Sequence, residues 1–118
     1  MSSITYVYDE SGNILVKMYL EFGGYPTSHG LALSKFLNSY FEKQGHLKME
    51  KLSANLVCNF LKKQPGYAML ISPFDKTTYC EWEYHIYSGI VKISYLNKEY
   101  EANWMNKDFE NICLKGVF

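Results

Sequence analysis

Apolar positions along this chain switch between two periods. Ile4-Thr-Tyr-Val-Tyr8 and Ile14-Leu-Val-Lys-Met-Tyr-Leu20 are β-prone runs on either side of the turn cluster Asp9-Glu-Ser-Gly-Asn13, and together they predict a hairpin. Pairing Tyr8 with Ile14 puts Ile4, Tyr6, Val16, Met18 and Leu20 on one face, with Thr5, Lys17 and Glu21 on the other. From Gly30 to Gln44 the spacing becomes helical. Leu33, Phe36, Leu37, Tyr40 and Phe41 form a stripe, and Lys35, Asn38, Glu42 and Lys43 face out. Thr27 or Ser28 is placed to cap this helix and Gly45 to end it. A second helix is expected over 49–63, striped by Met49, Leu52, Leu56, Val57, Phe60 and Leu61 and stopped by Pro65-Gly66.

Period two then returns. Tyr67 to Ile71 reads as a short buried strand. Thr78 to Tyr87 alternates, with Cys80, Trp82, Tyr84 and Ile86 inward and Glu81, Glu83 and His85 outward. Ser88-Gly89 and Asn97-Lys98 are spaced as tight turns, giving strands over 90–96 and 99–105. Asn106 to Cys113 has the look of a short closing helix. The order β-β-α-α-β-β-β-β predicts one α+β domain over 1–118: a mainly antiparallel sheet of about six strands with two helices on one face.

Composition narrows the partners. The chain carries 12 cationic and 12 acidic side chains, so no net charge draws it to nucleic acid or to an anionic membrane. Every cation is lysine, which removes the bidentate arginine clamps that read phosphate and guanine. Nucleic acid is therefore a minor reading, despite aromatic side chains that could stack on bases. No apolar run approaches bilayer length. The first residues lack a basic segment followed by an apolar one, so no secretion signal is expected and a cytoplasmic setting is. Cys58, Cys80 and Cys113 form no C-x-x-C pair and read as small core residues. The sequence implies no cofactor and no metal centre. Eleven tyrosines suit half-buried sheet faces and binding surfaces alike.

Two stretches carry candidate chemistry. The first is Glu21-Phe-Gly-Gly-Tyr-Pro-Thr-Ser-His-Gly30, between the hairpin and the first helix. Gly24 permits close approach, Pro26 biases Tyr25 toward extended geometry, and Ser28, His29 and Gly30 fall at a helix start, where free N–H groups favour an anion. One reading is a small phosphate site with Tyr25 as a lid; the other is an ordinary strand-to-helix connection. The second stretch is the polar face of the later strands. Tight turns put His85 beside Lys92, Glu83 beside Ser94 and Ser94 beside Glu101, so Glu83, His85, Lys92 and Glu101 share one surface with Glu81, Glu99 and Asn103. An acid–base pair and a solvated strand face both fit that pattern.

Val16-Lys-Met-Tyr19, Gly24-Tyr25-Pro26, His29-Gly30 and Leu33 to Leu37 resemble a family of small, largely uncharacterised proteins of tailed phages, giant viruses and some bacteria. Ala54 to Phe60 and Glu81 to Tyr87 are similar to later parts of the same family. Its pattern runs V-Y-x-x-x-D-G-Y-P-x-G-H-G-x-x-L-x-x-F-L; here Gly23 replaces the aspartate and Thr27-Ser28 a common Ser-Gly. The resemblance implies a viral or mobile-element setting. The resulting expectation is a non-catalytic accessory protein that sequesters a nucleotide-like host signal through Gly24, Tyr25, Pro26, Ser28, His29 and Gly30, with a homo-oligomer able to complete the pocket. The alternatives are an inhibitor that covers a host protein with its tyrosine-rich or acidic sheet surface, and a small hydrolase using Glu83 and His85.

Overall fold

In the computed structural model, which describes residues 1–44, 48–63 and 66–116, six strands form one sheet in the order β3-β2-β1-β4-β5-β6. The strands are β1 (Ser3–Tyr8), β2 (Ile14–Leu20), β3 (Met69–Leu70), β4 (Trp82–Ile86), β5 (Ile90–Tyr95) and β6 (Lys98–Asn103). The helices are α1 (Leu31–Gln44), α2 (Met49–Leu61) and α3 (Asp108–Lys115). The expected architecture is corrected in its helices and in its sheet. Among the described residues there are three α-helices rather than two, because Asp108 to Lys115 makes a full element that buries Phe109 and Cys113. The sheet is mixed: its outer pairings are antiparallel, but the central one, β1 with β4, is parallel.

The parallel pair follows from the path of the chain. After α2 the chain adds β3 at the free edge of the hairpin, beside β2. It then passes over the sheet to the far side of β1 and enters β4 with Trp82 opposite Ser3. Ile71 donates its amide to the Lys17 carbonyl, and the Lys17 ammonium donates to the Asp75 carbonyl. Glu81 and Trp82 both donate to the Ser2 carbonyl. Asp75 ties this crossing together by accepting from the hydroxyls of Thr77 and Thr78, which hold its carboxyl well below the usual range. The run Tyr67 to Ile71 is not the buried strand its sequence suggests. Met69 and Leu70 are exposed, because an edge strand with one neighbour has nothing packed over it.

The hairpin forms with one residue extra in β2. Tyr8 pairs with Ile14, but Val7 pairs with Val16, so Leu15 is a bulge. A one-residue slip turns a strand over. Thr5 and Val7 therefore join Met18 and Leu20 on the inner, helix-bearing face, while Ile4, Tyr6 and Lys17 lie on the outer face, reversing the expectation for Thr5, Ile4 and Tyr6. The register of β5 and β6 also differs. Leu96, at φ 55°, and Asn97 make the turn, so Ser94 faces Glu99 and Lys92 faces Glu101.

On the inner face α2 lies against β1 and β2, α3 against β6, and α1 touches both helices. Leu33, Leu37, Leu52, Leu56, Phe60, Tyr84, Ile93, Trp104 and Phe109 fill the space between the layers with no solvent exposure. Among the described residues no helix is long and apolar enough to cross a membrane. The expected stops at Gly45 and Pro65, and His46 beside the first, lie outside the described residues.

Candidate functional site

The helix after the quoted turn starts earlier than its periodicity suggests. Tyr25 is extended at φ −75° and ψ 160°, Pro26 occupies the first helical position, and Pro26–Gly30 forms a π-helical turn that runs into α1. No side chain caps it, so Thr27 and Ser28 do not play that role. The Tyr25 carbonyl accepts from Ser28 N at 3.0 Å, His29 N at 3.0 Å and Gly30 N at 3.5 Å. Gly24 N donates to the Met1 carbonyl at 2.9 Å, and the Tyr84 hydroxyl donates to the Gly24 carbonyl at 2.7 Å. The amides that could have met an anion are matched within the protein.

Packing accounts for the residue types. A Cβ on Gly24 would stand 2.7 Å from the Ser3 Cβ and 2.9 Å from the Ser2 backbone. One on Gly30 would stand 2.7 Å from Cys113 Sγ, so that glycine lets α3 close against the turn. Pro26, His29 and Gly30 are buried and Ser28 half-buried; Tyr25 alone of the predicted ligand residues is exposed. His29 points into the core between Phe60 and Tyr84, with edge-on ring distances of 5.2 and 5.3 Å. Its Nε2 lies 2.8 Å from Thr5 Oγ1, and its Nδ1 has no partner. The cheaper tautomer donates from Nε2 to Thr5 and leaves Nδ1 as a bare acceptor, since an orphaned N–H costs more. Burial, with Lys63 as a secondary influence, lowers the imidazole to about 3, so it stays neutral.

The outer face of the sheet is built differently. Register places Lys17, Tyr6, His85, Lys92 and Glu101 in one row across β2, β1, β4, β5 and β6. Tyr6 and His85 stack at 4.4 Å and 6°, and Tyr8 and Tyr87, in the next row, stack at 4.4 Å and 5°. The Lys17 ammonium sits 5.4 Å from the Tyr6 ring centre and that of Lys92 5.7 Å from the Tyr87 ring centre. The rings thus stand side by side across neighbouring strands, with the faces within each pair turned on each other and the edges directed away from the sheet.

Hydrogen bonds fix the arrangement. Tyr8 OH lies 2.6 Å from His85 Nδ1, and His85 Nε2 lies 2.9 Å from Glu83 Oε1. The His85 bond lowers the Glu83 carboxyl, against the opposing effect of burial. Desolvation raises the Tyr8 phenol far above the ordinary value, with Tyr87 adding to it, and raises Tyr6 to about 12. A carboxylate–imidazole–phenol chain of this kind orders protons, but a phenol so raised is a poor nucleophile at neutral pH. Beside it is a hollow of about 300 Å³ lined by Tyr79, Cys80, Glu83 and Ser94. Burial, then Glu83, raises the Cys80 thiol to about 11, which keeps it protonated and unreactive. Among the described residues, no three His, Cys, Asp or Glu side chains converge as metal ligands.

The structure thus brings Glu83, His85, Lys92 and Glu101 onto one surface and adds Tyr6, Tyr8, Tyr87 and Lys17, which sequence reasoning missed. The signal available was Ile14-Leu15-Val16: three apolar residues in a row break the alternation, as the bulge at Leu15 does. Compared with models of protein families, with curated proteins and with solved structures, the chain matches none.

Proposed function

We propose that this protein is a non-catalytic binding protein that engages a partner protein through the outer face of its sheet. The carrying observation is the row Lys17–Tyr6–His85–Lys92–Glu101, whose rings are already stacked on their neighbours. A nucleobase needs a free ring face, and the two close stacks leave their inner faces covered. Ring edges are what a protein surface can use, and tyrosine held in one rotamer brings contact area at little entropic cost. Lys92 and Glu101 stand side by side in the row, and Glu83 lies beside His85, a mix of charges that suits a protein partner better than a polyanion. The hydrolase alternative would need His85 as its base, and both ring nitrogens are already bonded, to Tyr8 and to Glu83.

A phage or giant-virus setting, with the partner a host protein that is blocked, rests on the sequence resemblance alone. Capture of a nucleotide-like signal at Gly24–Gly30 has less support, because the amides it needs are bonded internally.

A photo-crosslinking residue placed at Lys92 or Glu101, and at Glu50 on α2 as a control, tests the reading in cells expressing the protein. A discrete protein adduct is expected from the two sheet positions, lost when Tyr6 is changed to Ser, and none from Glu50. Adducts from Glu50 with none from Lys92 or Glu101 would remove the sheet face from consideration.

A further inference from the structure

A second surface, independent of the sheet face, has the chemistry of a ligand site. Between α1 and α2 lies a hollow of about 470 Å³, within the usual range for small-molecule pockets. Lys35, Ser39 and Lys43 line it from successive turns of α1, Asn55 and Asn59 from successive turns of α2, and Lys63 from just beyond α2. Among the described residues, no carboxylate lines it. Among the described residues, none of the three lysines has an ion-pair partner within salt-bridge distance.

In a chain with zero net charge, three lysines around one hollow with no carboxylate among its described lining make a local excess of positive charge. Like charges gathered without a counter-charge repel one another, and an anion relieves that repulsion. The wall is aromatic: Phe36 and Tyr40 stack at 5.9 Å and 24°, and Phe36 meets Phe60 edge-on at 6.4 Å. Lys63 is held by two rings, its ammonium 5.0 Å from the Phe60 centre and 5.1 Å from that of Tyr67. Hydroxyl and amide side chains complete a set of neutral hydrogen-bonding groups. Three flexible point charges suit a diphosphate, and the ring wall suits a planar apolar group attached to it.

We infer that the α1–α2 groove binds a phosphorylated small molecule of the nucleoside diphosphate class, with Lys35, Lys43 and Lys63 on the phosphates and Phe36–Tyr40 beside the base. The groove binds rather than reacts: among the described residues, no carboxylate, imidazole or thiol lines it to activate the Ser39 hydroxyl.

The test is titration of the whole chain with adenosine diphosphate, inorganic pyrophosphate and adenosine, read by calorimetry and by backbone amide shifts. Saturable binding of the diphosphate is expected, with shifts gathered at Lys35, Ser39, Asn55 and Asn59. Adenosine alone should bind at least about tenfold more weakly. A Lys35→Gln/Lys43→Gln/Lys63→Gln variant should lose about tenfold or more in affinity. A control of equal charge change elsewhere, Lys76→Gln/Lys98→Gln/Lys115→Gln, should lose little. The assignment is overturned if neither the diphosphate nor pyrophosphate saturates. It is also overturned if both triple variants weaken binding equally, or if the shifts scatter over lysines outside the groove. A shift in melting temperature on adding the diphosphate to each variant separates loss of binding from loss of fold.

Discussion

His29 and His85 show how differently one residue type is used in the two regions. His29 belongs to the turn that stands out most in the sequence, and the fold encloses it completely, with one ring nitrogen on Thr5 and the other unmatched. His85 belongs to an ordinary-looking alternating strand, and both its nitrogens are matched, by Tyr8 and Glu83, on a face that water reaches. Glycines, proline and histidine crowd into the turn because β1, α3 and Tyr84 converge on it and leave room for little else. The sheet face is plainer in sequence, yet from Tyr6 across to Glu101 its side chains are ordered and reached by water, while Lys17 is buried with its ammonium on the Asp75 carbonyl. Density of unusual residues marks crowding here, and the proposed partner surface lies where side chains are fixed but open.

The largest expected effect follows from the buried ring. His29→Ala should cost about 3–4 kcal/mol of unfolding free energy by denaturant titration, since it empties a core site and leaves Thr5 Oγ1 without its bond. A loss under about 1 kcal/mol would mean the turn is not packed as described.

Acid should act through the same group. A histidine lowered from 6.5 to about 3 binds its proton in the unfolded chain first. Its neutral burial is without penalty above about pH 6.5, and stability then falls as pH drops toward 3. Over the two units from about 6.5 to 4.5 the loss should be about 2–3 kcal/mol. Glu83 has the depressed pKa of a paired carboxylate, so its contribution is present above its unfolded value of 4.5 and lost only below it. The window from 6.5 to 4.5 therefore lies above that of Glu83, and a His29→Gln variant should flatten the slope there.

Gly24→Ala should cost about 2 kcal/mol, because the new methyl meets the backbone of Ser2 as well as the Ser3 side chain. Smallest should be Tyr6→Ser on the outer face, about 0.5–1 kcal/mol, as one cross-strand ring pair is lost. The same substitution should abolish the photo-crosslinked adduct. The comparison thus sharpens to a crossing: turn variants lose stability first, and face variants lose partner engagement while remaining folded.

Much of this fold could be read from periodicity. Both long helices, the hairpin and the β4–β5 register with His85 beside Lys92 follow from spacing and turn residues. What escaped was set by contacts distant in sequence. Nothing local to Trp82 says that it will run parallel to Ser3, and the exposure of Met69 depends on its place at an edge. The hairpin faces turned on the single extra residue at Leu15, and through it the ring row on the outer face went unseen. The turn's residues were legible as unusual, but whether its amides were free depended on where Tyr25 O and Met1 O came to rest. In α1, Lys35, Ser39 and Lys43 lie at i, i+4 and i+8, a pattern that reads as a solvated stripe until α2 is placed beside it.

Hydrogen exchange at the Gly24 and His29 amides tests most directly whether the turn is a packed lock rather than an open anion site. Both amides should exchange as slowly as the central residues of β1 and β4, with opening free energies near that of global unfolding. Exchange as fast as in an unstructured peptide, with the sheet core still protected, would contradict the account and return the turn to the position of ligand site.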